Sequence, residues 1–231
     1  MREIAFDTET TGLEPKQGHR IVEIGCVELI DRVRTGKFFH AYVNPEREVP
    51  QRVINIHGIT SEFLADKPLF RKVAKEFLEF IAGDPLVIHN ASFDMKFINF
   101  ELERASLTEI SDKRAIDTLI MAREKFPGSK ASLDALCERF GISLSRRERH
   151  GALLDAELLA EVYICLTGGK QCSMFGDAVV DGKKIIPLAS MKSEREVIPS
   201  RQFPVSAEEA ANHKDFASKK IKNAMWNEFA E

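Results

Sequence analysis

An apolar run of only three residues, Ile4-Ala5-Phe6, leads straight into the polar string Asp7-Thr8-Glu9-Thr10-Thr11-Gly12. Arg2–Thr8 therefore reads as a short buried strand whose far end carries carboxylates. Strand side chains alternate between faces, so Asp7 and Glu9 leave the same face together. Two carboxylates this close repel unless a cation lies between them, and hard oxygen ligands suit Mg²⁺ or Mn²⁺. The chain holds 36 acidic residues, so a D-x-E triplet also arises by accident. Position is what weighs against accident, because an acidic pair ending a buried strand is poor material for a core.

Ile21–Ile30 and Lys37–Val43 read as two further strands around the turn-like Asp31–Gly36, and short links predict an antiparallel meander. The period then lengthens. Phe70–Ile81 sets Val73, Phe77, Leu78 and Ile81 at helical spacing, with Lys72, Lys75, Glu76 and Glu79 opposite. Gly83-Asp84-Pro85 ends that helix, and Leu86-Val87-Ile88 is a short strand running into His89-Asn90. Helices are predicted at Ser92–Arg104, Ser132–Phe140 and Gly151–Leu166, with a strand near Ala115–Thr118; Gly141 and Gly168-Gly169 are the last two helix stops. The order βββ-α-β-α-β-α-α predicts an α/β domain with a mixed sheet flanked by helices. Beyond Gly169 the texture turns polar with scattered Pro, before a last helical stretch at about 207–229 that Ser206-x-x-Glu209 would cap. The expected division is a domain over 1–168, a linker over 169–205 and a helical tail over 206–231.

A length of 231 residues suits one such domain plus an extension, and 44% hydrophobic with 30% charged residues suits a soluble core. Sixteen Phe against one Trp and two Tyr make the aromatics packing material. A net charge of −3 argues against coating nucleic acid by bulk electrostatics, so positive groups must be local or supplied by metals. Cys26, Cys137, Cys165 and Cys172 form no C-x-x-C pair, which suits reduced thiols in a cytosol rather than zinc or disulfides. No signal peptide and no apolar run of bilayer length is visible, so the expectation is a cytoplasmic protein without membrane contact.

Two more elements end in acidic groups. Asp94 falls in the first helical turn after the strand Val87-Ile88, at the sheet edge where α/β sites form. Taken alone, it reads as an Asp favouring the helix dipole by about 0.3–1 kcal/mol. Asp155 lies one turn into an apolar helix beside Leu153, Leu154, Leu158 and Leu159, where a carboxylate needs a partner. His150 precedes it, next to Gly151 and after the charged loop Arg146-Arg147-Glu148-Arg149. Alone it reads as a solvated loop histidine. Three acidic element ends and a nearby His together point to a site.

These segments resemble the three exonuclease motifs of the DEDD superfamily, in its DEDDh branch, where a His stands five residues before the last Asp. The pattern is matched at Asp7, Glu9, Asp94, His150 and Asp155. Asp7–Gly12, Ile56-His57-Gly58-Ile59, Val87–Ala91, Ser132–Cys137 and His150–Ala156 are similar to stretches of the bacterial epsilon-type proofreaders. The resemblance covers about residues 1–168 and implies a ribonuclease H-like sheet of five strands, the first three antiparallel. It implies a 3′→5′ exonuclease that removes mispaired 3′-terminal nucleotides of DNA as monophosphates by two-metal hydrolysis. Two divalent cations, Mg²⁺ or Mn²⁺, are implied: Asp7, Glu9 and Asp155 on one, Asp7 also reaching the second, and Asp94 acting through water. His150 is implied as general base. Substrate contacts are implied for Asp7, Glu9, Asp155, Thr10, Thr11 and His57, the last lining the terminal-nucleotide pocket and the threonines near the 3′-sugar. Arg52 stands where epsilon relatives can carry an acidic contact, and it either touches phosphate or faces solvent.

Past residue 169, Gln171-Cys172-Ser173-Met174-Phe175 resembles the peptide by which replication proteins dock on the sliding clamp. Met174 and Phe175 would fill an apolar pocket and Gln171 make polar contacts; an ordinary linker is the other reading. Ser206 through Trp226 looks like the epsilon tail that binds the polymerase catalytic (alpha) subunit, with Phe216, Ile221, Met225, Trp226 and Phe229 as its surface. A piece so short cannot build its own core, which favours a partner over packing back on the domain. A further small accessory subunit is left open. The competing readings are a free-standing RNA 3′-end trimming exonuclease, which has no use for such a tail, and a non-catalytic replisome scaffold, against which the intact acidic set speaks.

Overall fold

The computed structural model describes residues 1–145, 147, 149–168, 179–180, 183–184 and 205–220. Strands β1 (Arg2–Thr10), β2 (Ile21–Ile30), β3 (Val33–Tyr42), β4 (Leu86–Ile88) and β5 (Ala115–Asp117) form one sheet in the order β3-β2-β1-β4-β5. β1, β2 and β3 run antiparallel, while β4 pairs parallel with both β1 and β5. The mixed five-stranded sheet is as expected. The β2–β3 turn is tighter than expected, because Asp31 and Arg32 both take positive φ (49° and 63°), the backbone of a two-residue hairpin turn. Gly36 (φ 87°) then falls inside β3, where the β2–β3 register shifts.

The helices are α1 (Gln51–His57), α2 (Ser61–Leu64), α3 (Phe70–Ile81), α4 (Ala91–Arg104), α5 (Thr118–Lys125), α6 (Leu133–Phe140), α7 (Ala152–Leu166) and α8 (Ala207–Lys220). α3, α4, α6 and α7 lie within a residue of their predicted spans. α1, α2 and α5 were not anticipated: α1 and α2 are only seven and four residues, and the apolar residues of α5, Leu119 to Ala122, run consecutively instead of at helical spacing. Side-chain caps start α2 and α5 instead, with Thr60 accepting from Phe63 N and Asp117 from Leu119 N.

The strand period places the core and then the site. Ile4 and Phe6 of β1 pack against Phe70 and Phe77 of α3 and Met95 and Ile98 of α4. Ala5, with Val27, Leu29 and Val87, meets Ala156, Leu159, Ala160 and Tyr163 of α7. Small residues on both sides of that second layer let α7 lie close to the sheet. Each large core side chain stabilises the fold by about 1.5–3 kcal/mol. Continued along β1, the same alternation points Thr8 toward α4 and turns Asp7 and Glu9 toward α7. Buried polar anchors fix the layers. Arg20 forks onto Glu101 of α4 (2.6 and 2.7 Å), and Tyr163 of α7 donates to Glu3 of β1 at 2.6 Å.

Cys26, Cys137 and Cys165 are buried, and burial pushes the Cys26 thiol well up. Among the described residues no helix is long and apolar enough to cross a membrane. The chain divides into a unit Met1–Pro187 and a unit Leu188–Glu231. In the first, β6 (Val179–Val180) and β7 (Lys183–Lys184) pair antiparallel. In the second, α8 carries the expected capping box: Glu209 N donates to Ser206 Oγ (3.2 Å) and Ser206 N to Glu209 Oε2 (3.0 Å). The clamp-type residues Gln171, Met174 and Phe175, together with Cys172, Ile221, Met225, Trp226 and Phe229, lie outside the described residues.

Candidate active site

The end of β1 is gripped from the α4 side by a single carboxylate. Thr8 donates to Asp94 Oδ1 twice, from its backbone N at 3.0 Å and its hydroxyl at 2.6 Å. Asp94 sits in the first turn of α4 and is 3% exposed. That turn is fixed in turn by Asn90, in the left-handed region (φ 65°, ψ 58°), and by Asp117 at the end of β5. The Asp117 carboxylate accepts from Ala91 N (2.9 Å) and Asn90 N (3.2 Å) while also capping α5. One β1 hydroxyl and one β5 carboxylate thus set where Asp94 stands.

The α7 side is set by β2. Glu23 pairs in register with Glu9, just before the ladder shifts between Glu9 and Thr10. Its Oε2 accepts from Ala152 N at 3.0 Å, capping α7, and its Oε1 lies 2.7 Å from His40 Nε2. Gly25, opposite Asp7, lies so close to α7 that a Cβ there would overlap the Ala152 carbonyl. This seat brings Asp155, 4% exposed, to the strand end. His150 is held by its backbone N, which donates to Ile56 O at 3.3 Å. Glu9, His150 and Asp155 each offer an atom within 4.8 Å of the others. Asp7 lines one groove of about 580 Å³ with His150 and Asp155.

Arg147 lies over this cluster with its side chain 8% exposed. Its Nη2 is 2.7 Å from Asp155 Oδ2 and 2.7 Å from His150 Nδ1, and its Nη1 pairs with Asp134 of α6. Nε is 2.6 Å from Asp155 Oδ1, yet off the hydrogen-bond direction: both atoms are buried without a hydrogen bond.

The carboxylates raise one another. Burial lifts Asp7 well above the usual carboxylate range, with Asp94, Glu9, Asp155 and Glu23 adding repulsion. Glu9 is pushed up to about 8 by burial and then by Asp155, Glu23 and Asp94, while Arg147 opposes the rise. Asp94 is pushed up to about 7 by burial, against the Thr8 hydrogen bonds that favour its charged form. Such elevation is the electrostatic signature of carboxylates gathered with too little positive charge among them. The unsatisfied Asp155 Oδ1 and the oxygen-rich donor set both fit a divalent cation.

The remaining sequence-predicted residues fall nearby. His57, 6% exposed at the end of α1, accepts from Ile59 N at its Nδ1 (3.0 Å), so Nε2 carries the proton. That Nε2 is buried without a hydrogen-bond partner, and burial holds His57 below its ordinary value. The Thr10 and Thr11 hydroxyls are used within their own loop: Thr10 donates to Gly12 O (2.6 Å), and Thr11 accepts from Arg20 N (3.0 Å). Arg52 is exposed on α1, where its charge and that of Arg47 help lower His19, after burial. Sequence reasoning missed Glu23, Asp117 and Arg147. Glu23 carried a usable signal, because a carboxylate within Ile21-Val22-Glu23-Ile24 is as poorly suited to a core strand as Asp7. Asp117 and Arg147 gave none, since their partners come from other elements or from one position in a generally charged loop.

The family described as Exonuclease, of the RNase T type, matches residues 4–163. DNA polymerase III subunit epsilon of Rickettsia felis is 51% identical, over 97% of this chain and 99% of that protein. The protein of the same name from Salmonella typhimurium is 42% identical over 97% of each chain. Among solved structures, Exonuclease X in complex with 5′ overhanging duplex DNA aligns with a TM-score of 0.57 at 30% identity, covering 76% of this chain and 97% of that one. The nuclease domain of 3′hExo, a DEDDh family member bound to rAMP, shares the fold with a TM-score of 0.64 at 21% identity, covering 74% and 93%. The carboxylates, the histidine and these likenesses agree: the chain belongs to the DEDDh exonuclease family, in the group of DNA polymerase III epsilon subunits.

Proposed function

We propose that this chain is the proofreading 3′→5′ exonuclease subunit of a replicative DNA polymerase, excising mispaired 3′-terminal nucleotides as monophosphates. The observation that carries the reading is the gathering of Glu9, His150 and Asp155 within 4.8 Å at the end of β1, with Asp7 in the same groove. Asp7, Glu9, Asp94 and Asp155 would hold divalent cations, two Mg²⁺ or Mn²⁺. Bound there, these supply Lewis-acid stabilisation of the charge that builds on the phosphodiester and its leaving oxygen.

The chain's own residues do the rest. His150, about half-exposed at the groove, takes the proton of the attacking water. Thr8 holds Asp94 in one orientation through two hydrogen bonds to the same oxygen, and Glu23 with Gly25 holds Asp155 by seating α7. The unpaired His57 Nε2–H is a preformed donor for the terminal nucleotide, and the Thr10-Thr11 turn shapes the wall beside it. Arg52, at the surface, faces solvent or an incoming phosphate. Base reading is not required for selectivity. Melting about three paired steps costs roughly 4 kcal/mol, and a mismatched end has lost part of that stability already.

The proposed organisation is an exonuclease domain over 1–168, a linker over 169–205 carrying a clamp-binding peptide at Gln171, Met174 and Phe175, and a tail over 206–231 for the polymerase alpha subunit. A cytoplasmic setting completes this reading. Near full-length identity to chains named epsilon supports it over an RNA-trimming enzyme. The test is excision from a mismatched primer end. Asp7→Ala and Glu9→Ala are expected to lower the rate by about 10²- to 10³-fold, given what single electrostatic groups contribute. Unchanged excision would sink the site assignment.

A further inference from the structure

A guanidinium remains protonated at all ordinary pH and has only N–H groups to offer, so every close contact of Arg147 is a donation. His150 Nδ1, 2.7 Å from Nη2, must therefore be the acceptor, which leaves the imidazole proton on Nε2. Asp155 Oδ2 accepts from the same Nη2 at 2.7 Å. The 3.2 Å separation of His150 Nδ1 and Asp155 Oδ2 is then not a charged pair but two acceptors bridged by one NH₂ group. One cation covers both the carboxylate that would hold metal and a lone pair of the base, and its far end is tied down by Asp134, which is itself 58% exposed.

We propose that Arg147 is a resident counter-ion of the metal-free site: its guanidinium and a divalent cation compete for Asp155, and Asp134 sets the balance by anchoring Arg147 from outside. The inference rests on the metal-site reading above. Two features favour exchange over a permanent structural pair. The Nε–Oδ1 contact at 2.6 Å lacks hydrogen-bond geometry, so the fork is only half made and Oδ1 is left for another ligand. The charge of Arg147 also opposes the elevation of Glu9, so when it withdraws the cluster must receive positive charge from elsewhere. Arg147 thereby acts as a positioning residue. It keeps His150 and Asp155 together before the cations arrive and leaves Asp155 when they do.

The test uses Mn²⁺ alone, titrated into the metal-free full-length chain and followed by electron paramagnetic resonance. Asp134 is not among the proposed ligands, so its replacement separates competition from simple electrostatics. Removing a nearby negative charge by Asp134→Asn should weaken cation binding by Coulomb's law. If Arg147 competes, losing its anchor should instead tighten Mn²⁺ binding by about threefold to tenfold, and Arg147→Met should tighten it about tenfold or more. Asp134→Asn binding that is weaker than wild type, or equal to it, overturns the proposal. The ¹⁵N shifts of His150 give a second readout, with Nδ1 unprotonated in the metal-free wild type and no longer held so in Arg147→Met. Mn²⁺ binding that is indifferent to Asp155→Asn would be a different failure, removing the metal-site reading itself.

Discussion

The two carboxylates that close the site from opposite sides are held in different ways. Asp94 is fixed by the strand it faces, through the Thr8 backbone and hydroxyl, inside a turn that Asp117 has already set. Asp155 arrives on α7, seated by Glu23 and Gly25, and its own oxygens are met by a side chain, Arg147, that comes from a loop. Backbone anchoring leaves Asp94 one orientation. Side-chain anchoring makes the Asp155 partner exchangeable. A site that must be stable when empty and then accept cations uses both, a rigid wall and a neutralised one.

The strongest way to break this contrast is to unseat α7. Gly25→Val should push the Ala152 carbonyl off β2 and cost about 3 kcal/mol or more, lowering the Tm by about 6–12 °C. Excision should fall with it, read at a temperature where the variant is still folded. A Gly25→Val chain with wild-type Tm and rate would show that the close β2–α7 approach does not position Asp155. A smaller effect is expected on the other wall. Thr8→Val keeps the backbone donor and the shape but removes the 2.6 Å hydroxyl bond, so excision should drop about tenfold, near 1.4 kcal/mol. Mn²⁺ affinity at the Asp155 side should change by less than about twofold, since additivity holds for separately anchored groups. Equal losses on both sides would mean the two walls move as one.

Much of this was legible in the sequence, and the reason is range. The alternation of Ile4, Ala5 and Phe6 is a period of two within one strand, and it correctly carries Asp7 and Glu9 to the face that meets α7. The helical periods of α3 and α7 are likewise local. What could not be read were pairings across the chain: Thr8 with Asp94, 86 residues apart, or Glu23 with the start of α7, 129 residues apart. The β2–β3 turn was read too long, as Asp31–Gly36: Asp31 and Arg32 alone make it, and Gly36, also at positive φ, falls at the irregularity within β3. Arg147 stood in plain view within Arg146–Arg149, but nothing local separates it from its neighbours.

The central claim is that this carboxylate cluster is built to be completed by cations, and its most direct test is thermal stability against pH with and without Mn²⁺. Glu9 stands at about 8 and Asp94 at about 7 in the folded chain, both above ordinary carboxylate values, and Asp7 moves the same way. A group raised on folding stabilises fully below its unfolded value, and that stability is lost as pH rises through the folded value. The metal-free chain should therefore lose Tm between about pH 4.5 and pH 8, with Glu9→Gln flattening part of the slope, and saturating Mn²⁺ should abolish it near neutrality and above. A slope that Mn²⁺ leaves untouched, or a metal-free chain whose Tm rises across that window, would contradict the account.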